Sequence, residues 1–286
     1  MKPEALLKKA NYLLSGLYGR MTSVALCPSC GSNASTVVDR KFFHALKECA
    51  ECHLLYRFPA ENATGMDAFY QDGYAEPGLT TELPDDQTLA HLLETKFKGS
   101  GKDFTYHIEV LGALGLQPGK RVLDYGANWG YMTWQFKQAG LDVSAYELSV
   151  PRAKYGLKLG VDVKTQIQDV GGDFDMVYSC HVLEHVPDPA ATLREHLALL
   201  KPGGLVVAHT PNGCRSFREK HYSLFHQTWG QVHPVLLTDE FIAHVAGDRP
   251  YFVSSTDTPE VLAKWDQQSQ VRHDTSGLGF ILAIRN

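Results

Sequence analysis

Val122-Leu123-Asp124-Tyr125-Gly126-Ala127-Asn128-Trp129-Gly130-Tyr131 is the stretch on which the reading of the whole chain turns. An apolar run ends in an acid, two glycines frame a sharp turn, and a segment able to form a helix follows. In an open α/β sheet such a turn lies at the carboxyl edge, where strand order reverses and ligands bind. Gly126 and Gly130 let backbone approach a ligand where a side chain would collide. The spacing rules out two common nucleotide sites. A dinucleotide fingerprint requires G-x-G-x-x-G, whereas this turn reads G-A-N-W-G, and no G-x-x-x-x-G-K-[ST] occurs anywhere. Asn128 occupies the middle position, and asparagine tolerates left-handed torsions better than other non-glycine residues, so the turn survives.

Outward from this turn, strand and helix patterns alternate. Strands are predicted at 121–124, 142–147, 161–164, 174–178 and 204–209, with helices at 132–139, 151–159 and 189–200 between them. The last helix is expected to stop at Lys201-Pro202-Gly203-Gly204, followed by a tight turn. A helix begun by Thr238 and late strands at 251–254 and 280–284 complete residues 104–286. This is the pattern of a doubly wound α/β sheet, mostly parallel with an antiparallel edge strand. A histidine- and aromatic-rich insertion occupies 217–234.

Upstream, Cys27-Pro28-Ser29-Cys30 and Cys49-Ala50-Glu51-Cys52 are separated by 18 residues. Two C-x-x-C turns at that spacing read as the knuckles of a zinc ribbon, with four thiolates closing a tetrahedron. Four cysteines leave no open coordination position, so the predicted zinc is structural. Residues 1–60 thus comprise an amphipathic N-terminal helix, with Leu6, Leu7, Leu13, Leu14 and Leu17 among basic residues, and the ribbon module. Residues 61–103 are acidic and turn-rich, with a helix expected near 87–98, and read as a connector or lid. Cys180 and Cys214 stand alone and read as small buried hydrophobes.

Composition narrows the classes. The chain has 286 residues, 44% of them hydrophobic and 21% charged, enough for a full core. Its net charge of −5 argues against a phosphate-gripping surface; only residues 1–60 are basic, with 8 basic against 4 acidic side chains. No apolar run is long enough to cross a bilayer and no secretory signal is evident, so a cytoplasmic protein is expected.

Three features taken in order resemble the class I S-adenosylmethionine-dependent methyltransferases, which have a Rossmann-like sheet: the acid and glycine turn from Asp124 to Gly130, an acid at Glu147 ending the second strand, and His181-Val182-Leu183-Glu184-His185 after the fourth. The resemblance implies S-adenosylmethionine as cofactor, held by Asp124, Gly126, Ala127, Asn128, Trp129, Gly130, Glu147 and His181. A carboxylate at 147 suits two ribose hydroxyls, and one at 124 compensates a cationic tail. Gln166, Gln168 and Asp169 are loose candidates for an adenine contact. The ribbon, followed by Phe69-Tyr70-Gln71-Asp72-Gly73-Tyr74, resembles the plan of bacterial sugar, polysaccharide and natural-product methyltransferases.

Methyl transfer to a hydroxyl profits from a base, and imidazole titrates in the useful range. His181, His226 and His233 are therefore the candidate catalytic residues. The expected acceptor is a small molecule, a glycan or a lipid-linked sugar. An RNA acceptor is the alternative, opposed by the acidic charge balance and the lack of an [N/D]-P-P-[Y/F] sequence. A further alternative is a non-catalytic scaffold that binds S-adenosylmethionine.

Overall fold

The computed structural model describes residues 24–60 and 83–286. The amphipathic segment at the N-terminus and the Phe69–Tyr74 stretch lie outside the described residues. Three short strands come first: β1 (Ser35–Lys41), β2 (His44–Cys49) and β3 (Leu55–Phe58), paired antiparallel in sequence order. Helix α1 (Asp86–Glu94) starts where the Asp85 carboxylate accepts the Thr88 N–H at 2.7 Å. It ends before the predicted 98 because Lys96 and Phe97 take left-handed torsions, φ 54° and 62°, which turn the Phe97 ring into the core.

Helix α2 (Thr105–Ala113) leads into β4 (Arg121–Tyr125), α3 (Tyr131–Gln138), β5 (Asp142–Tyr146), α4 (Val150–Gly156), β6 (Val163–Lys164) and β7 (Phe174–Cys180). After α5 (Pro189–Ala198) comes β8 (Leu200–Pro211). The insertion forms α6 (Arg215–Lys220) and α7 (Tyr222–Thr228), followed by β9 (Val235–Leu236). The chain closes with α8 (Asp239–Ala246), β10 (Tyr251–Ser254), α9 (Pro259–Leu262), β11 (Gln270–Arg272) and β12 (Gly279–Arg285). Thr238 caps α8 by accepting the Phe241 N–H.

Eight strands make one sheet in the order β11-β10-β12-β8-β7-β4-β5-β6. All pairings are parallel except those of β12, which runs antiparallel to both neighbours. The antiparallel strand thus lies inside the sheet, not at its edge. The edge is β11, whose three residues Gln-Val-Arg carry no apolar run that sequence reading could detect. Lys201–Gly204 is also not a turn: β8 has already begun at Leu200, and these residues bulge opposite Asp175. Asp175 anchors the bulge by accepting from Lys201, Lys120 and the Arg121 N–H. Alternate residues of the strands feed two apolar layers. Leu123, Val177 and Val206 face one with Leu193 and Phe241, and Val122, Met176 and Val207 face the other with Val110 and Phe136.

The ribbon is built into this architecture. Strand β9 pairs antiparallel with β3, giving a second sheet ordered β1-β2-β3-β9. Phe217, Phe225 and Trp229 of the insertion pack on Leu46 and Leu55 of the ribbon in one cluster. Cys27, Cys49, Cys52 and Tyr56 share a cluster with Leu123 and Val206 of the large sheet. Among the described residues no helix is long and apolar enough to cross a membrane.

Candidate functional site

The carboxyl ends of β4, β5 and β7 open on a cavity of about 370 Å³, lined by Asp124, Gly126, Ala127, Asn128, Trp129, Glu147, His181 and His185, among others. Sequence reasoning named most of these but missed the apolar and cationic part of the wall: Phe104, Tyr146, Leu148, Arg152 and Cys180. Arg152 sits over the Trp129 ring at 5.5 Å, a cation–π contact made possible by its position on α4. No sequence periodicity marks such a residue, since helix position alone brings it in.

The glycine turn is held as its residues require. Asn128 has φ 51° and Gly126 φ 84°. A Cβ on Gly126 would lie 2.4 Å from Val182 Cγ2, so the turn and the loop after β7 touch only because position 126 has no side chain. Gly130 does not line the cavity. It faces the opposite way, where a Cβ would meet Val161 Cγ2 at 2.8 Å, and it serves the packing of α3 against α4.

Two buried carboxylates define the polar chemistry. Glu147 accepts the Asn128 N–H at 2.9 Å on one oxygen and the Ser149 N–H at 2.8 Å on the other. The loops after β4 and β5 therefore lock it in place, and each oxygen keeps further accepting capacity. Asp124 accepts the Thr133 hydroxyl at 2.6 Å. Burial, reinforced by the neighbouring Glu147, pushes its carboxyl up to about 6. Among the described residues, Asn128 Oδ1 and the Trp129 indole N–H are sealed from solvent and have no hydrogen-bond partner. Buried polar atoms without partners, on residues that line a cavity, are what a polar ligand would satisfy. The Gln166–Asp169 stretch is not part of the wall.

The turn after β7 carries a second polar cluster. Glu184 is fully buried and accepts from Thr210 Oγ1 at 3.0 Å, with His181 Nδ1 at 2.8 Å. Burial alone would raise its carboxyl, but His181 and His185 hold it below the usual carboxylate range. His181 is correspondingly raised, by its hydrogen bond to Glu184. His185 donates Nδ1–H to the Val232 carbonyl at 2.7 Å, and His233 donates Nδ1–H to the Thr228 carbonyl at 2.8 Å. Both Nε2 atoms thereby present lone pairs. One ligand atom from each of Glu184, His185 and His233 lies within 4.8 Å of the others, a donor set that can hold a divalent cation.

His226 is elsewhere. Its Nδ1 lies 2.7 Å from Asp39 Oδ2 of the ribbon, which also accepts Trp229 Nε1–H at 2.7 Å, while Asp39 Oδ1 accepts from Tyr222 at 2.9 Å. The expectation that His226 faces an acceptor is therefore corrected. A buried carboxylate draws it to the ribbon interface, outside the cavity wall. The insertion joins the two sheets, and of its candidate histidines only His233 reaches the turn after β7. Cys180 lines the cavity, but burial pushes its thiol up to about 12, so it stays protonated.

The four ribbon cysteines converge. Cys27 and Cys52 Sγ are 3.5 Å apart, Cys30 and Cys49 Sγ are 3.4 Å apart, and all four lie within 4.8 Å of one another. Zn–S bonds of about 2.3 Å in a tetrahedron require sulfur separations of about 3.8 Å, so the donor set fits zinc. The first knuckle also reaches the large sheet: Ser29 donates to Asp188 at 2.8 Å, the residue that caps α5 by accepting the Ala191 N–H.

A family model described as a methyltransferase domain matches residues 104–244. The ubiquinone biosynthesis O-methyltransferase of Bordetella avium is 37% identical over 115 residues, covering 36% of this chain and 46% of that protein. That of Xanthomonas campestris pv. campestris is 29% identical over 183 residues, covering 60% and 71%. The chain thus spans about half the length of the first of these relatives. Among solved structures, the plantazolicin methyltransferase BamL, in complex with a triazolic desmethylPZN analog and SAH, superposes with a TM-score of 0.51 at 11% identity, covering 78% of this chain and 96% of that one; the likeness is one of fold. Sheet order, glycine turn and family match agree: residues 104–244 form a methyltransferase domain, on the Rossmann-like sheet expected from the resemblance to the class I S-adenosylmethionine-dependent enzymes.

Proposed function

We propose that the chain methylates a hydroxyl of a small molecule, using S-adenosylmethionine. The observation that carries this reading is the pair of buried carboxylates facing one cavity. Glu147, fixed by two backbone amides, has accepting capacity left for a ribose diol, and Asp124, buried in the same wall, is the counter-charge for a cationic tail. The unpartnered Asn128 Oδ1 and Trp129 Nε1 add polar capacity within the same turn. When bound, the cofactor supplies a methyl group on a positively charged sulfur, so the protein's task is to align and desolvate the acceptor.

His181 and His233 belong to the acceptor end in this reading. His181 lines the cavity beside Cys180, and His233 meets Glu184 and His185 at the same turn. The relatives named O-methyltransferases support oxygen as the methylated atom. A glycan or lipid-linked sugar hydroxyl is the finer alternative to a free small molecule. The Cys27, Cys30, Cys49 and Cys52 set is read as a structural zinc site, at home in a reducing cytoplasm. The test is incubation with methyl-labelled S-adenosylmethionine and a cell extract separated into small molecules, glycans, lipids and RNA. Label in the small-molecule fraction, stable as an ether, is the expected result. Label confined to RNA would overturn it.

A further inference from the structure

Outside the cavity wall, a chain of four side chains from four separate segments runs along the carboxyl edge of the large sheet. His107 Nδ1 on α2 lies 2.7 Å from the Tyr178 hydroxyl on β7. That hydroxyl lies 2.9 Å from His209 Nδ1 on β8, and His209 Nε2 lies 3.1 Å from Asp257 Oδ2, between β10 and α9. Tyr106 donates to the other oxygen of Asp257 at 3.1 Å. Tyr178 is fully buried, while the Asp257 side chain is 35% exposed.

The protons in this chain have little choice. Asp257 is held below the usual carboxylate range by His209, so it is an acceptor and His209 Nε2 carries the hydrogen between them. In neutral His209, Nδ1 is then an acceptor and must take the Tyr178 O–H. The Tyr178 oxygen in turn takes the hydrogen from His107 Nδ1, which leaves the lone pair of His107 on Nε2. Among the described residues that Nε2 has no hydrogen-bond partner and is not sealed from solvent. His107 packs edge-on against Phe104, 5.6 Å between centroids, and Phe104 lines the cavity. His209 is paired with Cys180 across the strands, and its carbonyl accepts the His181 N–H at 2.8 Å.

We propose that His107, Tyr178, His209 and Asp257 form a proton relay that takes the hydrogen of the acceptor hydroxyl. The inference rests on the reading of this chain as a hydroxyl methyltransferase. The acceptor oxygen bonds to the methyl carbon as the carbon–sulfur bond breaks, and that electron pair stays on sulfur. The hydroxyl proton goes to His107 Nε2, the Nδ1 proton of His107 to Tyr178, and the Tyr178 proton to His209 Nδ1. No heavy atom need move, and the positive charge ends on a His209 imidazolium beside the Asp257 carboxylate. Burial holds His107 down to about 4, so alone it is a poor resting place for charge. The relay carries the charge to a ring that faces the Asp257 carboxylate at 3.1 Å.

The test reads ring nitrogens by 15N NMR on the intact chain, with a kinetic arm on a hydroxyl acceptor. The ionisable groups facing the relay are Glu109 on α2, Glu260 on α9, and Asp124, Cys180 and His181 at the sheet edge. Expected are an Nδ1–H tautomer at His107, an Nε2–H tautomer at His209, and one shared titration step that Tyr178→Phe splits into two. Asp257→Asn and Tyr178→Phe should each lower kcat by about 10²-fold and move the acid limb of its pH profile, with unchanged affinity for S-adenosylhomocysteine. A His107 proton on Nε2, or independent titration of the two rings in the wild type, overturns the relay. So does an unaltered kcat and pH profile in both variants. A wild-type chain that labels only nitrogen or carbon acceptors sinks the hydroxyl reading instead, and the NMR pattern still decides whether the proton wire exists.

Discussion

Asp124 should trade stability for cofactor affinity, and both halves of that trade are measurable. Its carboxyl rises from 3.8 to about 6 because folding strips it of water and sets it near Glu147. Between those two values the folded chain holds a proton that the unfolded chain has released, so stability falls as pH rises through the window. A shift of about two units amounts to about 3 kcal/mol lost above pH 6. Asp124→Asn keeps an oxygen for the Thr133 hydroxyl and removes the buried charge, and should raise stability at pH 7.5 by about 1–3 kcal/mol.

Binding runs the other way. A cationic tail needs the ionised carboxylate, so wild-type affinity for S-adenosylhomocysteine should fall by about tenfold from pH 7.5 to pH 5, with uptake of a proton by the free protein as pH drops. Losing a charge-assisted hydrogen bond in Asp124→Asn should weaken binding by about 10- to 150-fold and flatten the pH dependence. Calorimetry at pH 5, 6 and 7.5, in buffers of different ionisation enthalpy, counts the protons; urea melts at the same pH values give stability. His181, whose charged form is favoured by its hydrogen bond to Glu184, is a second titrating group at the cavity, and the variant separates the two. Wild-type affinity that does not change with pH, or a variant binding as tightly as the wild type, would refute the placement of charge at position 124.

Other outcomes follow from single contacts. Glu147→Ala removes the acceptor of the Asn128 and Ser149 amides together with the proposed ribose contacts, and should weaken S-adenosylhomocysteine binding by at least about 100-fold in calorimetry. Gly126→Ala forces a left-handed alanine and a 2.4 Å approach to Val182, and should lower stability by about 2–3 kcal/mol in urea melts; an unchanged midpoint would mean the turn relaxes freely. Metal analysis of the purified chain should find about one zinc per chain, lost in Cys52→Ser along with several degrees of melting temperature.

The parts legible in the sequence are those with a local signature. The strand and glycine turn at 121–130 announces a sheet edge because Gly126 and Asn128 need torsions few residues accept. The cysteine pairs announce a metal because thiolates at that spacing have few other uses. What stayed hidden depends on distant pairings. Strand β9 is two residues long and carries no alternation, yet it decides that the insertion packs on the ribbon. His226 looked like an acceptor-site histidine because its partner, Asp39, lies 187 residues away. The His107–Asp257 chain draws on four segments, none of which has a pattern of its own.

Strand β9, which the insertion lends to the ribbon sheet, bears on any attempt to recombine this protein. A chimaera that exchanged residues 24–60 alone would leave Leu236, Phe225 and Trp229 against a foreign surface and strand β9 with a bare hydrogen-bonding rim. Asp39 would vanish from beneath three donors at once. The transplantable unit is therefore discontinuous: the ribbon together with the stretch from Arg215 to Leu237, moved as a pair or not at all.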